Sequence, residues 1–150
     1  MLREQINESL KDAVRSKDRR RMCTLRLINA AIKDRDIAAR STGRETVDDA
    51  EIQQILAKMV KQREESVQIY EQAGRMELAE QEREEMDIIR GFLPRQLSED
   101  EVKAACERVV SDIGAEGLRD MGRTMSTLKE RYPGQMDFGR ASCVVKRMLN

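Results

Sequence analysis

The eleven residues Gly91-Phe92-Leu93-Pro94-Arg95-Gln96-Leu97-Ser98-Glu99-Asp100-Glu101 constrain this chain more than any other stretch. They end one helical pattern and begin another, dividing a chain of otherwise even composition into two bodies, residues 1–93 and 94–150. Pro94 cannot continue a helix, and it pushes Leu93 out of the helical region. Ser98 and Glu101 have the spacing of a capping box, in which each side chain takes a free amide of the other's turn. Leu97 and Val102 occupy the two positions of a hydrophobic staple.

The rest of the sequence reads as helix on both sides of this break. Aromatic residues make up only 3% and Trp is absent, whereas Glu, Lys, Arg, Ala, Leu and Met are frequent, so an all-α fold is expected. Leu2, Ile6, Leu10 and Val14 recur at helical spacing. Asp18 can cap a second helix carrying Met22, Leu25, Ile28 and Ile32 inward. After a loop at Ser41-Thr42-Gly43, Asp48 and Glu51 form an acidic capping box between the staple positions Val47 and Ile52. The long helix that follows presents Ile55, Leu56, Met59, Val60, Val67 and Tyr70, and Gly74 suits its end. A fourth helix, from about Met76 to Phe92, points Leu78, Ala79, Met86, Ile89 and Phe92 inward. Beyond the break, Ser98 opens a helix through Val102, Ala105, Cys106, Val109, Val110 and Ile113, closed by Gly114. A middle helix from Asp120 to Arg131 turns Met121, Met125 and Leu128 inward. The last starts at Asp137, with Cys143, Val144, Val145, Met148 and Leu149 on its apolar face. The expectation is an N-terminal four-helix body followed by a small three-helix C-terminal domain.

What is missing narrows function. The chain has no His, which removes Ser–His and Cys–His nucleophile pairs, imidazole bases and Glu-x-x-His metal ligands. Gly-x-Gly-x-x-Gly, Walker-type and Gly-x-Ser-x-Gly sequences are absent, so no nucleotide cradle is recognisable. No catalytic residue, cofactor or metal is expected. Cys23, Cys106 and Cys143 form no C-x-x-C pair and read as small buried hydrophobes kept reduced. No apolar run approaches the roughly 18 residues of a membrane span, and the charged N-terminus does not resemble a signal peptide, so a cytoplasmic home is expected.

Charge is distributed unevenly beneath a net value of zero. Residues 1–40 carry 11 Lys/Arg against 6 Asp/Glu (+5), residues 41–93 carry 7 against 13 (−6), and residues 94–150 carry 10 against 9 (+1). Arg19-Arg20-Arg21 and Arg26, with Arg15 and Lys17 nearby, form the densest positive cluster. Such forked cations suit phosphate, and the competing reading is a solvated turn paired to acids on neighbouring helices. No aromatic residue is interleaved for base stacking. The series Glu77, Glu80, Glu82, Glu84, Glu85 and Asp87 spreads around one helix and reads as a solvated face rather than a metal site. In the C-terminal domain, Arg119 and Arg123 share a helix side, and Arg131 and Arg147 add further charge. Between the first two, Gly122 stands where glycine costs roughly 1 kcal/mol relative to Ala, which points to close approach by a neighbouring helix or a ligand.

Five phrases, in order and with consistent gaps, carry a resemblance over nearly the whole chain. They are Leu2 to Asp12, Thr24-Leu25-Arg26-Leu27-Ile28-Asn29-Ala30-Ala31-Ile32-Lys33, Phe92-Leu93-Pro94-Arg95-Gln96-Leu97-Ser98, Asp120-Met121-Gly122-Arg123 and Val144-Val145-Lys146-Arg147-Met148-Leu149. Together they resemble the GatB/YqeY family, and within it the free-standing members. The resemblance implies a fold like the C-terminal helical and tail domains of the B subunit of aminoacyl-tRNA amidotransferases, where the tail grips tRNA and chemistry lies elsewhere. It implies an accessory protein that binds tRNA or is linked to tRNA-dependent amidation, without catalysis of its own. A carbon–nitrogen ligase label, with glutamine as amide donor, would be inherited from that enzyme. It also implies RNA contacts at Gly122, Arg123 and Lys146, with Lys129 and Arg140 beside them. Gly134-Gln135-Met136-Asp137-Phe138-Gly139-Arg140 departs from the family's Gly-x-Ala-Asp-Gly-Lys, so the loop contact does not transfer directly. The alternative function is a helical protein–protein adaptor that uses the groove between the two bodies.

Overall fold

Local capping chemistry sets most helix boundaries in the computed structural model, which describes residues 1–150. There are seven α-helices and no strand: α1 Leu2–Ser16, α2 Arg19–Arg40, α3 Asp49–Gln72, α4 Met76–Arg90, α5 Glu99–Ile113, α6 Met121–Arg131 and α7 Phe138–Leu149. A single 3-10 turn, Leu118–Asp120, leads into α6. The chain divides into two compact units, Met1–Leu93 and Pro94–Asn150.

In the first unit, α1 closes at Lys17, which adopts the left-handed conformation (φ 59°). The amides of Lys17 and Asp18 then donate back to the carbonyls of Val14 and Ala13. A non-glycine residue in that conformation costs roughly 1–2 kcal/mol, which the satisfied helix end offsets. Asp18 immediately caps α2 by accepting from the Arg21 amide at 3.2 Å. The Asp48–Glu51 capping box opens α3, with both reciprocal bonds formed at 2.9 and 3.0 Å. Two bonds from Arg44 hold Glu51, and its carboxyl is pulled down to about 2, first by Arg44 and then by the Asp48 amide. The helices meet on a core that includes Ile6, Leu25, Ile28, Ile32, Ile52, Leu56 and Ile89, all essentially inaccessible to water. Burying one such side chain stabilises the unit by roughly 1.5–3 kcal/mol.

One side-chain network ties distant parts of this unit together. Arg3 Nη1 and Nη2 each donate to Asp36 at 2.9 Å, while Asp36 Oδ1 also accepts from the Val47 amide at 2.9 Å. Asp36 is only 7% exposed. The Arg3 bonds hold its carboxyl below the usual carboxylate range, against the opposing effect of burial, with the Val47 amide assisting. The start of α1, the end of α2 and the entry to α3 are thereby fastened at one point. On the other side, Arg63 of α3 lies 3.2 Å from Glu85 and 3.9 Å from Glu82 of α4. Burial, with repulsion from Glu85, pushes the Glu82 carboxyl up.

The second unit begins at Pro94. Gln96 donates through its side-chain amide to the Pro94 and Gly134 carbonyls at 2.9 and 2.7 Å. The Leu97 amide donates to the Gln135 carbonyl at 2.8 Å. The stretch after Pro94 is thus tied to the loop between α6 and α7. The Ser98–Glu101 capping box is formed, and Glu101 is also gripped by Arg95, which brings its carboxyl to about 2 with help from the Ser98 amide. Gly114 (φ 65°) ends α5 in the left-handed conformation that glycine adopts without a Cβ penalty. Cys106, Val109, Leu128, Met136, Ala141 and Val145 form the core. Buried Thr124 satisfies its hydroxyl on the Asp120 carbonyl at 2.8 Å.

Three expectations about individual residues need correction. Val14 is 48% exposed, and Ala13 takes its place in the core. The i, i+4 stripe advances about 40° at each step, so three steps from Leu2 carry Val14 off the buried face, while Ala13 stays on it. Cys23 and Cys143 are exposed, leaving Cys106 as the buried cysteine, its thiol pushed up by burial. Cys143 lies two residues before buried Val145 and two after buried Ala141, so helical geometry turns it outward.

Candidate nucleic-acid interface

Most of the C-terminal cations expected to meet RNA are engaged with their own neighbours, whereas Lys103, Arg108, Lys146 and Arg147 of the same unit are exposed and unpaired. Arg123, exposed on α6, pairs with Asp120 one turn earlier at 3.2 Å. Arg140 on α7 lies 3.6 Å from Asp137, the residue that caps the same helix by accepting from the Gly139 amide. Lys129 holds its ammonium 6.0 Å from the centroid of the Phe138 ring, within cation–π range. Arg131 pairs with Asp112 at 2.6 Å. Lys146 is exposed on α7 and makes no ion pair or side-chain hydrogen bond. Of the five residues named for RNA contact here, Lys146 alone is an uncommitted cation.

Gly122 does not mark a close approach. A Cβ built there meets nothing within 4 Å, so neither a neighbouring helix nor a core side chain requires glycine. The expected packing role is absent, and the space above the start of α6 is open.

The cluster at the turn from α1 to α2 behaves differently. Arg20 reaches Glu84 on α4 at 2.6 Å. Lys17, Arg19, Arg21 and Arg26 form no ion pair and no side-chain hydrogen bond. The first turn of α2 contains no acidic residue, although the helix dipole favours acids there and disfavours cations by roughly 0.3–1 kcal/mol each. Three successive arginines at this position therefore break a local rule without an internal partner for two of them. Uncompensated local conflicts of this kind are typical of binding surfaces.

Two further cations extend the cluster and were missed in the sequence. Lys33 and Arg40 continue the seven-residue spacing of Arg19 and Arg26, and all four side chains are exposed. The signal was present as four basic residues at a constant interval, but it crosses the apolar pattern of α2 and is easily overlooked.

The acidic residues of α4 are mostly used in ion pairs. Glu84 binds Arg20, Glu82 and Glu85 flank Arg63, and Arg83 pairs with Glu80 and with Glu71 of α3. No group of three or more potential ligands is arranged to hold a metal ion. No helix is long and apolar enough to cross a membrane.

The family model described as Yqey-like protein matches residues 3–149. The chain belongs to the YqeY-like family. It is also 29% identical over 133 residues to "Altered inheritance of mitochondria protein 41, mitochondrial" of Pyrenophora tritici-repentis (strain Pt-1C-BFP), an alignment that covers 84% of this chain and 70% of that protein. Within this YqeY-like chain, the family-implied contact residues and the densest unpaired charge lie in different units.

Proposed function

We propose that this YqeY-like protein is a non-catalytic accessory protein that binds tRNA through its phosphate backbone. The observation that carries the reading is the group Lys17, Arg19, Arg21 and Arg26, exposed or half-exposed cations that no internal acid neutralises. A protein gains little from placing such charges together unless a polyanion answers them, because each phosphate contact releases condensed counterions. Lys146, with exposed and equally unpaired Arg147 beside it, best fits a supplementary contact in the C-terminal unit, since Arg123, Lys129 and Arg140 already have partners. The tie to tRNA-dependent amidation belongs to the same proposal and rests on the family resemblance. Amide transfer by the chain itself is not part of the proposal: the buried Cys106 thiol is held toward the protonated form, and the exposed thiols Cys23 and Cys143 have no imidazole to act as their base.

Filter binding to bulk tRNA at low and moderate salt tests the reading. Tight binding at low salt that weakens by a factor of about ten or more at moderate salt is expected for three to four phosphate contacts. Absent or salt-independent binding would remove it. Purified protein should release no ammonia from glutamine, and release of ammonia would favour an enzymatic role instead.

A further inference from the structure

We infer that the outward face of α2 is a track for the backbone of base-paired RNA, formed by Arg19, Arg26, Lys33 and Arg40. The inference rests on the RNA-binding reading above and names the form of RNA and the residues that meet it.

The geometry is that of a row. A seven-residue step along an α-helix returns to within about 20° of the same direction and advances about 10.5 Å. Four cations at that step, from Arg19 to Arg40, therefore lie along one slowly winding line about 32 Å long, close to one turn of a nucleic-acid duplex. Arg19, Arg26 and Lys33 have no ion pair. Arg40 lies near Asp36, whose two oxygens already accept from Arg3. Asp34 is the one exposed acid within α2, about 100° round the helix from Lys33, and it lowers the local charge without standing in the row. Spread over about 32 Å, the four cations cannot all meet one small phosphorylated ligand. They match a ligand whose charges also repeat along a line. The row is held rigid because Leu25, Ile28 and Ile32 on the inward side of α2 are locked in the core.

The aromatic residues decide between paired and unpaired RNA. The chain has two Tyr, two Phe and no Trp. Tyr70 and Phe92 pack against the first core, and Tyr132 and Phe138 against the second. All four rings are thus committed to packing, and single-strand binders depend on free rings as stacking platforms. What α2 offers is charge at regular intervals, which reads phosphates and shape, as proteins do on double-stranded RNA. Leu27, 49% exposed about 100° round α2 from Arg26, and Ile37, 52% exposed between Lys33 and Arg40, are the side chains a docked protein helix would use.

Fluorescence anisotropy with two labelled probes provides the test: an RNA hairpin and an oligouridine with the same number of phosphates. The hairpin is expected to bind at least ~10-fold more tightly, with a logarithmic salt slope near −3. Arg26→Glu/Lys33→Glu should weaken hairpin binding by about tenfold or more, and Arg26→Gln/Lys33→Gln should weaken it less, in the same direction. Leu27→Ser/Ile37→Ser should leave it unchanged. Circular dichroism of each variant establishes that the helices remain folded. Equal or tighter binding of oligouridine overturns the inference. So does hairpin binding that survives the charge reversals, or that requires Leu27 and Ile37. If tRNA still binds in those cases, the general RNA reading stands while the α2 track falls; if no RNA binds, both fall.

Discussion

The two candidate contact surfaces of this protein, one in each unit, contain comparable basic residues and differ in how many of them are already paired. In the C-terminal unit, Arg123 and Arg140 each have an aspartate three residues earlier, at the N-cap of the helix, and Lys129 rests over a ring. In the N-terminal unit, Arg19, Arg21 and Arg26 have no such answer. Counting charges would rate these regions alike. Pairing separates them, because an exposed cation already matched to a carboxylate must give up that contact before it binds a phosphate. The units also differ in how they are fastened: the first by a long-range pair, Arg3–Asp36, and the second largely by local caps and a loop tie.

The strongest way to break that second contrast is to remove Asp36. Asp36→Ala leaves the Val47 amide and the Arg3 guanidinium without their acceptor, and a loss of about 2–3 kcal/mol in urea unfolding is expected. Asp36→Asn, which can still accept from Val47, should lose less. The pH dependence has a definite sign. The folded carboxyl sits below its unfolded value, so its contribution is present above about pH 4 and disappears as pH falls through the lower folded value. Acid unfolding of Asp36→Asn should lack that component. A wild-type level of stability in Asp36→Ala would show that the Arg3–Asp36 pair does not fasten the unit.

Ser98→Ala addresses the local side of the contrast. It removes the acceptor for the Glu101 amide, and hydrogen exchange should show the first turn of α5 loosened, with about 1 kcal/mol lost. Glu82→Gln should act in the other direction. The folded Glu82 carboxyl lies above its unfolded value, so its ionised form opposes folding at neutral pH, and stability recovers relatively as pH falls through the folded value. A gain below about 1 kcal/mol at pH 7, vanishing in acid, is expected from thermal melts. The smallest effect belongs to Gly122→Ala. Open space and helical backbone should make it neutral or stabilising by about 0.5 kcal/mol, and a marked loss of tRNA binding would restore the family-implied contact there.

How much was legible follows from the range of each interaction. The caps at Asp18, Asp48 and Ser98 each act within three residues, so the sequence displays donor and acceptor together. The apolar faces of α3 and α4 were readable for the same reason, since their spacing follows helical geometry. The Arg3–Asp36 pair spans 33 residues and left no local trace. Met136 is buried from a loop, where no periodicity marks it. Cys23 and Cys143 were assigned inward by residue type, and helix phase placed them outside. At the candidate interface, the cluster around Arg19 was visible as charge. Its lack of partners required the positions of α4 and of every nearby acid, which only the fold supplies.

The central claim is that unpaired charge, rather than total charge, locates the RNA-binding surface. A salt titration of tRNA binding tests it directly, comparing wild type with Arg19→Glu/Arg21→Glu/Arg26→Glu and with Arg123→Glu/Lys146→Glu. The account expects the first variant to lose at least ~10-fold in affinity and to flatten the salt slope by about two to three, while the second loses only a few-fold. The opposite ranking, or equal salt-insensitive binding by all three proteins, would contradict it.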